Sequence, residues 1–253
     1  MKINLFLIRH ANSCSNLIKA KGENVDYIYY KSNQENNKIN ISELGKHESL
    51  IASKYYNKYF NENNIKINML LHTARIRTSQ TLNIVKNNLD TNNLELLKKP
   101  RKKNIDLIDI IPDNKKSQLN ISLRNTLNIF KYDIDNFYHI ICETINEYSK
   151  NNKLEDVKEL NIIFFTHKGF INDLHLNINK TSEISENNNL YLQKIYLNNL
   201  GSNSYNIKRK SKISKIINFN NIFSKIRKNE NDLVEKSLLH CFKINGTLNF
   251  KKM

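Results

Sequence analysis

The run Leu5-Phe6-Leu7-Ile8-Arg9-His10-Ala11-Asn12-Ser13-Cys14-Ser15-Asn16 decides the reading of this chain. A continuous apolar stretch ends abruptly in a cation and an imidazole, and a turn of small polar residues follows. Apolar runs without alternation belong to strands covered on both faces, which is the habit of parallel sheets. Open α/β sheets bind ligands beyond the carboxyl ends of such strands. A guanidinium beside a potential nucleophile at that place points to phosphate chemistry.

Working outward, the same kind of apolar run returns at 67–71 and at 162–165. Helical patterns lie between. Ser42 is placed to cap a helix through Leu50, Ile51 and Tyr55, and residues 77–85 read as another. Over 123–148 the residues Leu123, Leu127, Phe130, Ile134, Phe137, Ile141, Ile145 and Tyr148 recur at helical spacing, a core-packing stripe. Strands alternating with helices predict an α/β fold, a three-layer α/β/α sandwich around a mainly parallel sheet. Strand-like stretches at 190–196 and 204–207 complete the sheet. From Lys208-Arg209-Lys210-Ser211-Lys212 onward the composition is basic and less periodic. The organisation read here is therefore one α/β domain over 1–207 and a basic C-terminal tail over 208–253, helical around 232–242.

The chain has 253 residues, 40 Lys+Arg against 24 Asp+Glu, and a formal charge of +16. That length suits one large domain better than two small ones. Such a charge ordinarily raises nucleic acid as a partner. Here Lys, Asn and Ile are abundant everywhere, the composition expected from an AT-rich coding sequence, and neither an aromatic-interleaved basic patch nor a helix-turn-helix accompanies them. Nucleic acid is disfavoured. The cysteines Cys14, Cys142 and Cys241 are odd in number and widely spaced, which suggests neither a disulfide framework nor a metal site. They predict a reducing, cytoplasmic setting. The first apolar run is too short for a signal peptide and none approaches a membrane span, so no membrane partner is expected.

Three further segments carry chemistry. Thr73-Ala74-Arg75-Ile76-Arg77-Thr78-Ser79-Gln80-Thr81 follows the second strand and puts Arg77 at a helix start, where exposed N–H groups favour an anion. Phe164-Phe165-Thr166-His167-Lys168-Gly169 brings a second histidine to a strand tip, with Gly169 easing the turn into a helix. Ile41-Ser42-Glu43-Leu44-Gly45-Lys46 opens the helix between the first two strands.

In order and placement these segments resemble the histidine phosphatases, the phosphoglycerate mutase-like superfamily. The family pattern is strand, Arg-His-Gly, a polar turn ending in Asn, a Leu-Thr-x-x-Gly helix start, a Ser-x-x-x-Arg-Ala-x-x-Thr segment and finally strand, Ser-His-Gly. Here those positions read Arg9-His10-Ala11 with Asn16, Ile41-Ser42-Glu43-Leu44-Gly45, Thr73 with Arg77 and Thr81, and Thr166-His167-Lys168. The likeness covers residues 3 to about 207. It implies a phosphoglycerate mutase-like fold and a metal-independent phosphatase that hydrolyses phosphomonoesters through a phosphohistidine on His10. Arg9, Arg77 and a protonated His167 would hold the phosphoryl oxygens. Asn16 matches a family position on the same phosphate; Ser13 and Lys168 complete the expected substrate-binding set. Three cationic side chains take the part that Mg²⁺ plays elsewhere, so no metal and no cofactor is implied. The partner implied is a phosphorylated substrate, a small molecule or a phosphoprotein.

The chain departs from the pattern in places. Ala11 and Lys168 stand where the family has Gly, and Lys168 either reaches the substrate or points into solvent. Family members carry a Glu or Asp that protonates the leaving oxygen, yet residues 94–114 hold no Glu-containing match. Glu95 reads as part of a strand, so the better candidates are Asp106 and Asp109, with Asp113 behind them, and the choice between them leans to Asp109. The Glu-Arg-x-Tyr-Gly segment of the mutases is also missing between 94 and 118, which favours phosphatase over phosphoglycerate mutase. A catalytically weak member that binds phosphorylated partners is the other alternative. His47, His72, His139 and His240 read as surface or packing residues, Cys14 as a small filler, and the basic run over 98–103 as a solvated loop.

Overall fold

Residues 3–8 are buried on both faces because β1 runs through the middle of a five-stranded sheet. A computed structural model of the chain describes residues 2–20, 39–73, 75–98, 134–149, 152, 154, 157–179, 189–199, 207–217 and 219–244. In chain order the elements are β1 (Lys2–Arg9), α1 (Cys14–Ala20), α2 (Glu43–Glu62), β2 (Met69–His72), α3 (Ile76–Asn88), α4 (Ile134–Ser149), β3 (Glu159–Thr166), α5 (Lys168–Asn179), β4 (Leu192–Asn199), β5 (Ile207–Ile217), α6 (Asn220–Asn229) and α7 (Asn231–Ile244). The sheet order is β2-β3-β1-β4-β5. β2, β3 and β1 pair in parallel, while β4 is antiparallel to β1 and β5 antiparallel to β4. Among the described strands only β4 therefore runs against the rest, and the sheet is mainly parallel as the sequence predicts.

Alternation along β1 builds the three layers. Ile3, Leu5 and Leu7 point to one side, where they meet Phe137 and Ile141 of α4 and Phe170, Ile171 and Leu174 of α5. Phe6 and Ile8 point to the other, against Tyr56 and Phe60 of α2, Val85 of α3, and Phe219 and Phe223 at the C-terminal end of the chain. Each fully buried side chain of this size contributes roughly 1.5–3 kcal/mol. Ser42 caps α2 by accepting the Gly45 N–H at 3.0 Å, the role its position predicts, and the helix runs well beyond Tyr55 to Glu62. The long stripe is helical over Ile134–Ser149; residues 123–133 lie outside the described residues. Glu95 is exposed and lies outside the named strands; its N–H donates to the Ile67 carbonyl at 3.0 Å.

Two sequence readings are corrected by the structure. The boundary at 207/208 cuts off a strand: residues 207–217 are β5, an edge of the main sheet. The segment after it is no loose tail, because α7 packs on α2 and α1 and carries Cys241 into a buried cluster with Cys14, Leu17, Ile18 and Leu44. The second correction follows. Cys14 and Cys241 form a disulfide across 227 residues of sequence, with Cα atoms 5.3 Å apart. Neither cysteine is a filler or spare; their pairing closes almost the whole chain and so restricts the unfolded state. Among the described residues no helix is long and apolar enough to cross a membrane.

Candidate active site

Three parallel strands end at one level, and that assembles the site. Arg9 is in register with Thr166, and His72 with Phe165. The residues that follow, His10, His167 and Thr73, therefore emerge along one edge of the sheet. Backbone pairing continues past the strand ends, from the His10 N–H to the Thr166 carbonyl at 2.9 Å and from the Thr73 N–H to the Phe165 carbonyl at 3.3 Å. The imidazoles of His10 and His167 meet edge to face with centroids 5.1 Å apart. Both are buried.

Hydrogen bonds fix which nitrogen of His10 can react. Its Nδ1 lies 2.7 Å from the Ala11 carbonyl, and a carbonyl only accepts, so Nδ1 carries the proton. Nε2 keeps its lone pair and accepts from Arg77 Nε–H at 3.3 Å. Burial, then the charges of Arg77 and Arg9, push the His10 pKa well below the usual imidazole range. His10 is thus a neutral imidazole with Nε2 turned to a guanidinium. Arg77 is buried in the first turn of α3, as its place after the second strand predicts.

His167 is wired differently. Its Nε2 is 3.0 Å from Thr73 Oγ1, which is 2.9 Å from Thr78 Oγ1. The Thr78 hydroxyl has the carbonyls of Thr73 and Arg75 to donate to, at 2.9 and 2.6 Å. With that proton committed downward, Thr73 donates to Thr78 and accepts from His167 Nε2–H. Burial first, then His10, Arg77, Arg75 and Arg9, lower the His167 pKa well below its ordinary value. The protonated His167 of the sequence reading therefore requires a bound anion: without one, burial and three guanidinium charges keep the ring neutral.

The polar turn is held from outside. The Ala11 N–H donates to Thr81 Oγ1 at 3.0 Å. The Asn12 carbonyl accepts from the Ser42 N–H at 2.9 Å, and the Ser42 hydroxyl is 3.0 Å from Asn12 Oδ1. Gly45 approaches so closely that a Cβ there would lie 2.0 Å from the Asn12 carbonyl oxygen. Ser13 Oγ donates to Asn16 Oδ1 at 2.9 Å, which leaves the amide NH₂ of Asn16 as its end for an anion. Ser13 is fully buried and its hydroxyl is engaged with Asn16 and Ser15, so it shapes the turn instead of offering itself to a substrate. Lys168 is exposed at the first residue of α5. Asp109, Asp106, Asp113 and the basic run from Lys99 to Lys103 lie outside the described residues.

Several contributors escape the sequence reading. Arg75, at the N-cap of α3, lowers the pKa of both histidines. Thr73 and Thr81 occupy motif positions, but their partners are visible only in the fold. Glu48, fully buried on α2, binds Arg227 of α6. Its signal was present: Leu44, Glu48 and Ala52 share one helical face, and a carboxylate inside an apolar stripe needs a partner. Of the other histidines, His47 and His240 pair with Glu230 and Glu43 near the surface, and His72 Nδ1 lies 2.8 Å from the Thr73 carbonyl. The His139 side chain lies outside the described residues. Among the described residues no group of three or more His, Cys, Asp or Glu could hold a metal ion.

No protein-family model matches the chain, and no curated protein matches it. Solved structures do. One is the protein histidine phosphatase SixA complexed with tungstate, at 12% identity and a TM-score of 0.46, covering 87% of this chain and 99% of that one. Another is phosphoglycerate mutase from Bacillus anthracis str. Sterne, at 12% identity and a TM-score of 0.48, covering 88% and 96%. The resemblance is one of fold.

Geometry of this kind predicts proton uptake on anion binding. A dianion beside His167 offsets the guanidinium charges and raises its pKa, so binding takes up a proton between the free and bound values. Affinity for sulfate, which stays dianionic throughout, should rise as pH falls through that window and level off below it. His167→Asn should flatten the slope, and Arg77→Ala should weaken sulfate by roughly 1.5–3 kcal/mol, the scale of a charge-assisted hydrogen bond. Calorimetry across pH checks both. An unchanged slope in His167→Asn would move the proton to another group.

Proposed function

We propose that this chain is a phosphoryl-transfer enzyme of the histidine phosphatase type, which hydrolyses phosphomonoesters through a phosphohistidine on His10. The observation that carries the reading is the tautomer of His10: Nδ1–H is committed to the Ala11 carbonyl while the Nε2 lone pair points at Arg77. Arg77 is then placed to pass its N–H from Nε2 to a phosphoryl oxygen as that oxygen arrives. Transfers of this type need positioning and charge stabilisation more than any other help.

In the first step Nε2 attacks phosphorus, the P–O bond to the leaving group breaks, and the leaving oxygen takes a proton from the general acid. In the second, water attacks phosphorus, the P–N bond breaks, and inorganic phosphate leaves with neutral His10 restored. The carboxylate made in the first step takes up the proton released by that water. Arg9 and Arg77, joined by His167 once the dianion has raised its pKa, hold the three non-bridging oxygens. Asn16 supports them with its amide NH₂. The substrate class is a phosphorylated small molecule or phosphoprotein; the Cys14–Cys241 disulfide runs against the reducing, cytoplasmic setting that the cysteine spacing predicts.

Rapid quench of the protein with an aryl phosphate in the presence of a chelator tests this directly. The expected result is a burst of leaving group that matches enzyme concentration, with phosphate held in an acid-labile, base-stable bond. A slow linear release with no bound phosphate would overturn the covalent route.

The general acid is assigned to Asp109 from its position in the sequence. Asp109→Asn should slow alkyl phosphates, whose alkoxides need a proton, by roughly 10²–10⁴, and activated aryl phosphates far less. Asp106→Asn should be nearly silent. Equal effects of Asp109→Asn on both substrate types would rule the role out.

A further inference from the structure

Behind the phosphate turn sits a buried carboxylate that is paired with one arginine and feels the charge of a second. Glu48 of α2 is fully buried. Its Oε1 receives Arg227 Nε–H at 2.9 Å and Arg227 Nη2–H at 2.6 Å. The groups acting on Glu48 are Arg227, Arg9 and the backbone N–H of Asn12; burial outweighs them and raises its pKa to about 7. Arg9 feels the same arrangement from the other side: burial, then repulsion by Arg227, lower its pKa to about 10, and Glu48 opposes them. Other charges on this face, Glu43 with Lys46 and His240, and His47 with Glu230, pair among themselves nearer the surface.

Arg227 comes from a segment that the fold anchors elsewhere. Ser237 Oγ accepts the Leu44 N–H at 2.8 Å, Cys241 is bonded to Cys14, and Phe223 and Phe219 stack and pack against the α2 face. These contacts hold α6 and α7 along α2, beside Glu48. A buried carboxylate that loses its partner is left uncompensated, and the other cation whose charge acts on Glu48 is Arg9.

We propose that Arg227 is a positioning residue for the phosphoryl chemistry: by holding Glu48 it keeps that carboxylate from drawing Arg9 away from the phosphoryl oxygens and fixes the Asn12 end of the turn. This rests on the function proposed above. The C-terminal helices thus take part in the active site without touching substrate.

The test measures kcat/KM on an aryl phosphate and sulfate affinity, each from mildly acidic to alkaline pH, in wild type, R227K, R227M and R227M/E48Q. R227M is expected to lose roughly 10–100-fold in both at alkaline pH, somewhat less than deleting an oxyanion donor outright. The sign of its pH dependence follows from Glu48. Above its titration the unpaired carboxylate is charged and competes for Arg9; below it the carboxyl is neutral and the loss shrinks. R227M/E48Q should recover to within tenfold of wild type with that pH dependence removed, and R227K should keep most of the activity. An ion pair that serves stability alone would lower Tm without moving sulfate affinity or its pH profile.

R227M with wild-type sulfate affinity, or with a loss that is equal at every pH and unrelieved by E48Q, would overturn the proposal and leave the phosphatase reading standing. A wild type that neither binds sulfate nor turns over would overturn the phosphatase reading and this inference with it. Should R227M fail to fold, R227M/E48Q decides, since it carries no lone buried carboxylate: a loss beyond tenfold in the double variant overturns the proposal.

Discussion

His10→Ala should abolish phosphomonoester turnover, by on the order of 10⁴-fold or more, while the protein stays folded. The size follows from the role: a nucleophile that forms the covalent bond cannot be replaced by positioning alone, and losing one from a catalytic unit costs nearly as much as losing the unit. The fold should survive because the pairing that holds β1 against β3, and its continuation at His10, is made by backbone atoms. Alanine keeps the backbone N–H that donates to Thr166 at 2.9 Å. What disappears is the Nε2 lone pair beside Arg77. Steady-state assay, circular dichroism and mass spectrometry after quench would follow turnover, fold and trapped phosphate in parallel. Turnover within tenfold of wild type would remove His10 from the mechanism.

The parts of the site legible in the sequence are those set by local pattern. Uninterrupted apolar runs place the three parallel strands, and a shared strand register then brings His10 and His167 to one edge with no further instruction. Arg77 is legible because a helix start after a strand fixes where its side chain begins. The remainder depends on pairings over long sequence distances, which leave no periodicity to read. Cys14 gives no hint of Cys241, 227 residues away. Residues 208–217 look like a basic tail because Lys and Arg dominate them, yet an edge strand at the antiparallel side of the sheet has one neighbour and tolerates such charge. Glu48 is the intermediate case: its helical face marks it as buried, while the identity of Arg227 as partner needs the fold. The state of His167 needs the fold for another reason. Protonation belongs to the liganded site, and the residues alone give the charge balance of neither state.

Gly45→Ala should be the most damaging small substitution in the scaffold, by about 3 kcal/mol of stability, with a loss of activity beyond it. Propensity argues the opposite sign: Gly45 lies within α2, and alanine in a helix interior is favoured over glycine by roughly 1 kcal/mol. Steric contact decides the matter. A Cβ on Gly45 would fall 2.0 Å from the Asn12 carbonyl oxygen and 3.0 Å from its carbon, both backbone atoms that cannot rotate away. The same carbonyl accepts the Ser42 N–H at 2.9 Å, so relief of the clash breaks the bond that ties the turn to α2. Overpacking of a rigid contact typically costs 1–3 kcal/mol, and the lost hydrogen bond adds to it. Displacing Asn12 also moves Ala11, whose carbonyl holds His10 Nδ1, so His10, the proposed nucleophile, loses its orientation along with the fold's stability. Urea unfolding should register the stability loss as a lower midpoint at unchanged slope, and Lys54→Ala, exposed on the same helix, should be nearly neutral beside it. A Gly45→Ala protein as stable as wild type would mean that α2 and the turn can separate without cost, and that the close approach at Asn12 does not hold the site together.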